Sequence, residues 1–143
     1  NVSSGAHYGN HVDFGDLQRK KKYRNWQVYG ESKLMNILFT RALAKRLEGS
    51  GVTVNALHPG FVATNFGHGK GIMDIMIKCA QKLFAISEDE GAKTSIYLAS
   101  SPEVAGISGE YFYQCQVKQA SDAAYDDQAA EKLWQISEQI VNK

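Results

Sequence analysis

Tyr29-Gly30-Glu31-Ser32-Lys33 holds the pair of side chains in this sequence best suited to moving a proton. On a helix, a spacing of four residues brings Tyr29 and Lys33 onto one face. An isolated phenol keeps its proton up to about pH 10 and is a poor acid or base at neutrality. A neighbouring ammonium favours the phenolate, which makes the phenol usable as proton donor or acceptor. Alone, Y-x-x-x-K is a weak signal, because most Tyr–Lys pairs on helices are solvated surface pairs. The flanking residues strengthen it. Val2-Ser3-Ser4 reads as the end of a buried strand, and Pro59-Gly60-Phe61-Val62-Ala63-Thr64 follows the next strand. Both then sit at carboxyl ends of parallel strands, where open α/β sheets bind ligands.

The elements that must position these residues are legible from periodicity and punctuation. Gly5 to Arg24 is polar and charged and reads as a loop. Leu34, Ile37, Leu38, Ala42 and Leu47 recur at helical steps, so a helix is predicted from Asn25 to Glu48. Asn25 is expected to cap it, and Gly49 with Gly51 to stop it. Val52 to Leu57 is β-branched and apolar and predicts a buried strand. Further helices are predicted over Ile72–Phe84, Glu88–Leu98 (continuing to about Ser100) and Tyr125–Val141, with an aromatic strand over Gly109–Cys115 between the last two. Strands alternating with helices indicate an α/β fold with a parallel sheet. Three strands make a thin sheet with one raw edge. Together with an opening at Asn1 that reads as the inside of an element, this leads us to expect further chain before Asn1.

Composition narrows the function classes. The 143 residues carry a formal net charge of +1, which argues against a nucleic-acid surface. The basic run Lys20-Lys21-Lys22, beside Arg19 and Arg24, is expected to be a solvated loop. Cys79 and Cys115 are too few for a disulfide-stapled secreted scaffold and are expected as reduced thiols, in keeping with an intracellular compartment. His7, His11, His58 and His68 lack the spacing of a compact ligand set; surface or loop histidines are expected, with His58, before Pro59-Gly60, structural, and no metal is expected. No apolar run reaches transmembrane length.

Val2-Ser3-Ser4, Tyr29-Gly-Glu-Ser-Lys33 and Asn55-Ala-Leu-His-Pro59-Gly60, in this order, resemble the signature of short-chain dehydrogenases/reductases. Ser32 to Arg41 and Gly51 to Gly60 look like the retinol-dehydrogenase-like branch of that family. The resemblance covers nearly the whole chain. It implies the C-terminal part of a doubly wound parallel-sheet Rossmann fold. Residues 1–143 would then be its catalytic and substrate-binding half, with the dinucleotide-binding half outside them.

The resemblance also implies roles. Tyr29 would be the general acid in carbonyl reduction and the general base in alcohol oxidation. Lys33 would support it and hold the ribose of the nucleotide. Ser4, rather than Ser3, would hydrogen-bond the substrate oxygen. Pro59, Gly60, Val62 and Thr64 would pass beside the nicotinamide of NADP or NAD, with NADP favoured. The substrate would be an apolar alcohol or carbonyl, retinoid-, steroid- or lipid-like. Ile72–Phe84 is either an ordinary core helix or a substrate lid, and its position after Pro59-Gly60 favours the lid. The helix from Trp26 to Glu48 could support a homodimer. Membrane association is expected only from residues upstream of Asn1, which leaves the location as cytoplasmic or membrane-associated.

This sequence departs from the family pattern in two ways. Most members separate the serine and tyrosine by about half the distance here, the added Gly9–Arg24 loop being typical of the resembled branch. The glycine-rich phosphate loop is missing, and Gly67-His68-Gly69-Lys70-Gly71 does not follow a strand directly as such a loop must. A non-catalytic fragment or pseudoenzyme serving as an interaction module is therefore the alternative reading.

Overall fold

The computed structural model describes residues 1–61 and 86–142. Helix α1 spans Asn25–Arg46, α2 Glu88–Ser100 and α3 Asp127–Val141. Strands β1, Ala56–His58, and β2, Tyr111–Tyr113, pair in parallel, and β3, Gln116–Val117, returns antiparallel to β2. Val2 bridges Leu57 in parallel on the outer side of β1. The architecture is α/β with a small, mainly parallel sheet.

Alternation along the strands builds a separate core on each face of this sheet. Ala56 and Tyr111 face α1, where Leu34, Ile37, Leu38 and Ala42 meet Ala130 and Leu133 of α3. Leu57 and Phe112 point the other way, to Val104, Tyr97 and Leu98 on the α2 side. The stripe of α1 repeats at three- and four-residue steps, so one helix face delivers most of the first core. Leu34, Ile37 and Leu38 are all but fully buried, each worth about 1.5–3 kcal/mol in transfer free energy. α3 lies along α1: Phe39 stacks on Trp134 at 5.4 Å, and Arg46 bonds Glu131 at 2.8 Å.

Several expected boundaries shift for local reasons. Asn25 does not cap α1. It is the first helical residue, and Arg24 occupies the cap position without a side-chain bond. Val52–Asn55 is not part of the buried strand, and Val52 is exposed. β2 begins only at Tyr111, so Val54 is met instead by a loop, donating to Ser108 Oγ at 3.1 Å and accepting from Gly109 N at 2.7 Å. Val2 makes a single bridge and is 52% exposed rather than buried, because it lies at the sheet's edge. The last helix begins at Asp127 after a 3-10 turn over Asp122–Tyr125. There Asp126 Oδ1 accepts from Ala129 N at 2.9 Å and caps α3. α2 follows its predicted range, opened by Ser87, whose Oγ accepts from Glu90 N, and by an acidic first turn suited to the helix dipole.

Val62, Thr64, the Gly67–Gly71 run, His68, Cys79 and the expected lid Ile72–Phe84 lie outside the described residues. Cys115 is a free cysteine. Among the described residues, no helix is long and apolar enough to cross a membrane.

Candidate active site

Ser3 and Ser4 separate by strand alternation. Ser3 is buried, donates its backbone N–H to Leu57 O at 2.7 Å, and donates its hydroxyl to the Lys33 carbonyl at 2.7 Å. Ser4 points away from that contact and is half-buried. It caps a 3-10 turn over Gly5–His7, its Oγ accepting from Ala6 N at 3.2 Å. An accepting Oγ still has its own proton to donate.

The chain from Asn1 to Ala6 runs down one face of α1. Asn1 Nδ2 donates to Thr40 Oγ1 at 2.8 Å, and Asn36 Nδ2 donates to Val2 O at 2.9 Å. Ser3 reaches the Lys33 carbonyl, and the Ala6 carbonyl lies against Gly30. Residues 40, 36, 33 and 30 are spaced by three or four, so they form one helical stripe. This zipper delivers the serine turn to the first turns of α1, against Gly30. Gly30 makes the closest approach possible. A Cβ there would stand 2.3 Å from Asn10 Nδ2 and 2.6 Å from Ala6 O.

Tyr29 and Lys33 occupy one face of α1, as their spacing predicts. Lys33 Nζ stands 5.4 Å from the centre of the Tyr29 ring. Trp26, 48% exposed, meets the same ring edge-on at 6.0 Å. Between them, Glu31 turns inward. Its carboxylate accepts from Arg19 Nε at 2.8 Å and Gln27 Nε2 at 3.0 Å. A buried carboxylate needs such partners, and the Arg19–Glu31 pair fastens the Gly9–Arg24 loop to α1.

Pro59 and Gly60 lie at the carboxyl end of β1. Gly60 takes φ +92°, and a Cβ there would meet Ile86 Cδ1 at 2.7 Å. Its N–H donates to His58 Nδ1 at 3.3 Å, and His58 stacks on Tyr113 at 5.0 Å. His58 Nε2 lies 3.5 Å from where a Cβ on Gly5 would be. The serine turn is thus seated between Gly30 of α1 and the residue that precedes Pro59. Burial, then the Lys118 ammonium and the neighbouring His7 imidazole, hold the His58 imidazole below its ordinary protonation range.

His7 is not the surface or loop histidine expected from sequence. It is fully buried beneath the serine turn. Its Nδ1 lies 2.7 Å from the Ser4 carbonyl, and its Nε2 accepts from Ser121 N at 3.1 Å. Burial lowers its affinity for a second proton, only partly offset by the Ser4 carbonyl. A loop histidine carries no mark of this in sequence. Gly30 does, since a glycine inside a helix costs about 1 kcal/mol and calls for a reason. Asn36 and Thr40 show no sign of their role beyond sharing the stripe.

A family model described as Enoyl-(Acyl carrier protein) reductase matches residues 5–115. Retinol dehydrogenase 14 of Homo sapiens is 47% identical over 143 aligned residues, covering 98% of this chain and 43% of its own. Retinol dehydrogenase 13 of Homo sapiens is 40% identical, covering 99% of this chain and 44% of its own. An uncharacterized protein from Mycobacterium Paratuberculosis, known from its crystal structure, superposes with a TM-score of 0.72 at 29% identity, over 99% of this chain and 49% of that one. The chain therefore spans less than half the length of the curated relatives it matches.

Proposed function

The chain belongs to the short-chain dehydrogenase/reductase family, in its retinol-dehydrogenase-like branch, and on that premise we propose that it is the catalytic half of an NAD(P)-dependent oxidoreductase. The reaction interconverts an alcohol and a carbonyl on an apolar, retinoid-, steroid- or lipid-like substrate. The observation that carries this reading is the close seating of the Ser4 turn on Gly30, next to Tyr29 and one turn from Lys33. The exposed indole of Trp26 at the edge of the Tyr29 ring supports an apolar substrate, and the names of the relatives favour a retinoid-like one.

The residues fit the nicotinamide end of a dinucleotide. The Lys33 ammonium has three N–H donors and the Tyr29 phenol can donate or accept, a set suited to ribose hydroxyls. Pro59 and Gly60, at the carboxyl end of β1, would border the ring, with Val62 and Thr64 as further contacts. When bound, the nicotinamide supplies or accepts the hydride. In carbonyl reduction Tyr29 Oη gives its proton to the substrate oxygen, and in alcohol oxidation it takes that proton back. The Lys33 ammonium stabilises the negative charge left on Oη. Ser4 Oγ donates to the same substrate oxygen and fixes its distance from Tyr29. The pyrophosphate, with NADP preferred over NAD, is assigned to sequence outside these residues. Homodimerisation is assigned to α1.

The test is Tyr29→Phe in the complete protein, with steady-state turnover of a retinoid or lipid aldehyde. Phenylalanine keeps the ring and deletes only the proton-bearing oxygen. Turnover should fall by about 10²–10⁴-fold with the melting temperature unchanged. Rates near wild type would sink the assignment.

A further inference from the structure

From its two hydrogen bonds, we infer that His7 is a positioning residue for Ser4, acting as the neutral Nδ1–H tautomer that braces the serine turn against the Gln119–Ser121 segment. This rests on the reading of Ser4 as the hydroxyl that holds the substrate oxygen. Both ring nitrogens of His7 meet backbone groups of opposite polarity. The Ser4 carbonyl, 2.7 Å from Nδ1, can only accept, and the Ser121 N–H, 3.1 Å from Nε2, can only donate. One protonation state satisfies both: a proton on Nδ1 and a lone pair on Nε2. The other neutral tautomer sets two lone pairs together at Ser4 and two N–H groups together at Ser121. The imidazolium keeps the Ser4 bond and loses the Ser121 bond.

The surroundings make this a brace and not a loose contact. The ring is fully buried, edge-on to Tyr111 at 5.0 Å and tilted on Tyr8 at 4.0 Å. A second tie runs in parallel, Tyr8 Oη donating to Gln119 O at 2.6 Å. The far end is itself held, because Ala120 N donates to Tyr125 Oη at 3.1 Å in the turn that leads into α3. Asn10 Nδ2 closes the near end, donating to Ala6 O at 2.8 Å. The carbonyl that His7 holds belongs to Ser4 itself. A shift in that peptide therefore moves Oγ relative to Tyr29, and an error of about 1 Å in such a group can cost on the order of a hundredfold in rate.

Two substitutions separate the nitrogens. In His7→Asn the amide N–H falls near the place of Nδ1 and can still reach the Ser4 carbonyl. In His7→Gln the amide oxygen falls near the place of Nε2 and serves only Ser121. In the complete protein, kcat should fall on the order of ten- to a hundredfold in His7→Gln. It should fall several-fold less in His7→Asn, which keeps the Ser4 bond and loses only the anchor at Ser121. The KM for nucleotide should be unchanged in both. Combined with Ser4→Ala, His7→Gln should lower kcat no further, since its effect passes through Ser4.

Equal losses in the two variants, or losses that add to that of Ser4→Ala, would overturn the inference. Tyr29→Phe is the control. If it stays active, the underlying function is wrong, whereas an inactive Tyr29→Phe beside a fully active His7→Gln removes only the role of His7. Should the variants not fold, the histidine ¹⁵N shifts of the wild type decide it: Nδ1–H near neutral pH is expected, and Nε2–H or the imidazolium would refute it.

Discussion

Lys33 is held twice, and only one of the two ties concerns chemistry. Its carbonyl accepts from the buried Ser3 hydroxyl, while its ammonium stands over the Tyr29 ring. Lys33→Met keeps the backbone tie and the aliphatic stem and deletes the charge. In the complete protein the variant should fold normally, lose turnover by about tenfold or more, and show a raised KM for nucleotide. Wild-type turnover and nucleotide KM in the variant would show that Lys33 does not support Tyr29. At this scale sequence was most informative for residues whose chemistry is carried by type and spacing. Tyr29 and Lys33 fall on one face as i, i+4 demands, and Ser4 diverges from Ser3 as strand alternation demands. It was least informative for His7, because burial is a property of the fold around a residue.

Among the elements, the contact between α1 and the serine turn depends on one missing methyl group. At an ordinary helical site, alanine in place of glycine would stabilise by about 1 kcal/mol. At Gly30 the added Cβ meets Asn10 Nδ2 at 2.3 Å and Ala6 O at 2.6 Å. The asparagine side chain can swing aside. The Ala6 carbonyl is backbone of the very turn that Ser4 caps, so relief there displaces Ser4. Gly30→Ala should therefore destabilise by about 1–3 kcal/mol, and kcat should drop even at temperatures where the fold is intact. A raised melting temperature would mean that helix propensity wins and the approach is looser than described. Element types were legible wherever periodicity was long: α2 keeps its predicted range and α1 starts at Asn25. The β3 return was not. Its turn uses Gln114 and Cys115 at φ +51° and +60°, in a hairpin that usually selects Asn-Gly. Nothing in Gln-Cys announces a left-handed pair.

Across the whole molecule, two histidines that brace the serine turn also link stability to pH. Burial holds both His7 and His58 below the ordinary imidazole value of 6.5. The unfolded chain takes up these protons as pH falls through that value, while the folded chain takes them up only lower down. Between the two, the unfolded state binds more protons, so stability is fully present above about pH 6.5 and declines as pH falls toward the folded values. The carboxylates act later. Hydrogen bonds from Lys45 and Arg41 hold Asp127 below its ordinary range, and Arg46 does the same for Glu131. Both are exposed enough for solvent to screen most of that effect. Their contribution is lost only as pH falls through the acid range, below the histidine window. The melting temperature of the complete protein should thus begin to drop just under about pH 6.5, well before carboxylates titrate. His7→Gln should show a shallower drop over the same interval, since one of the two proton sinks is gone. A melting temperature flat from about pH 7.5 to about pH 5 would mean that neither histidine stays neutral in the fold. The brace proposed for Ser4 would then lose its tautomer.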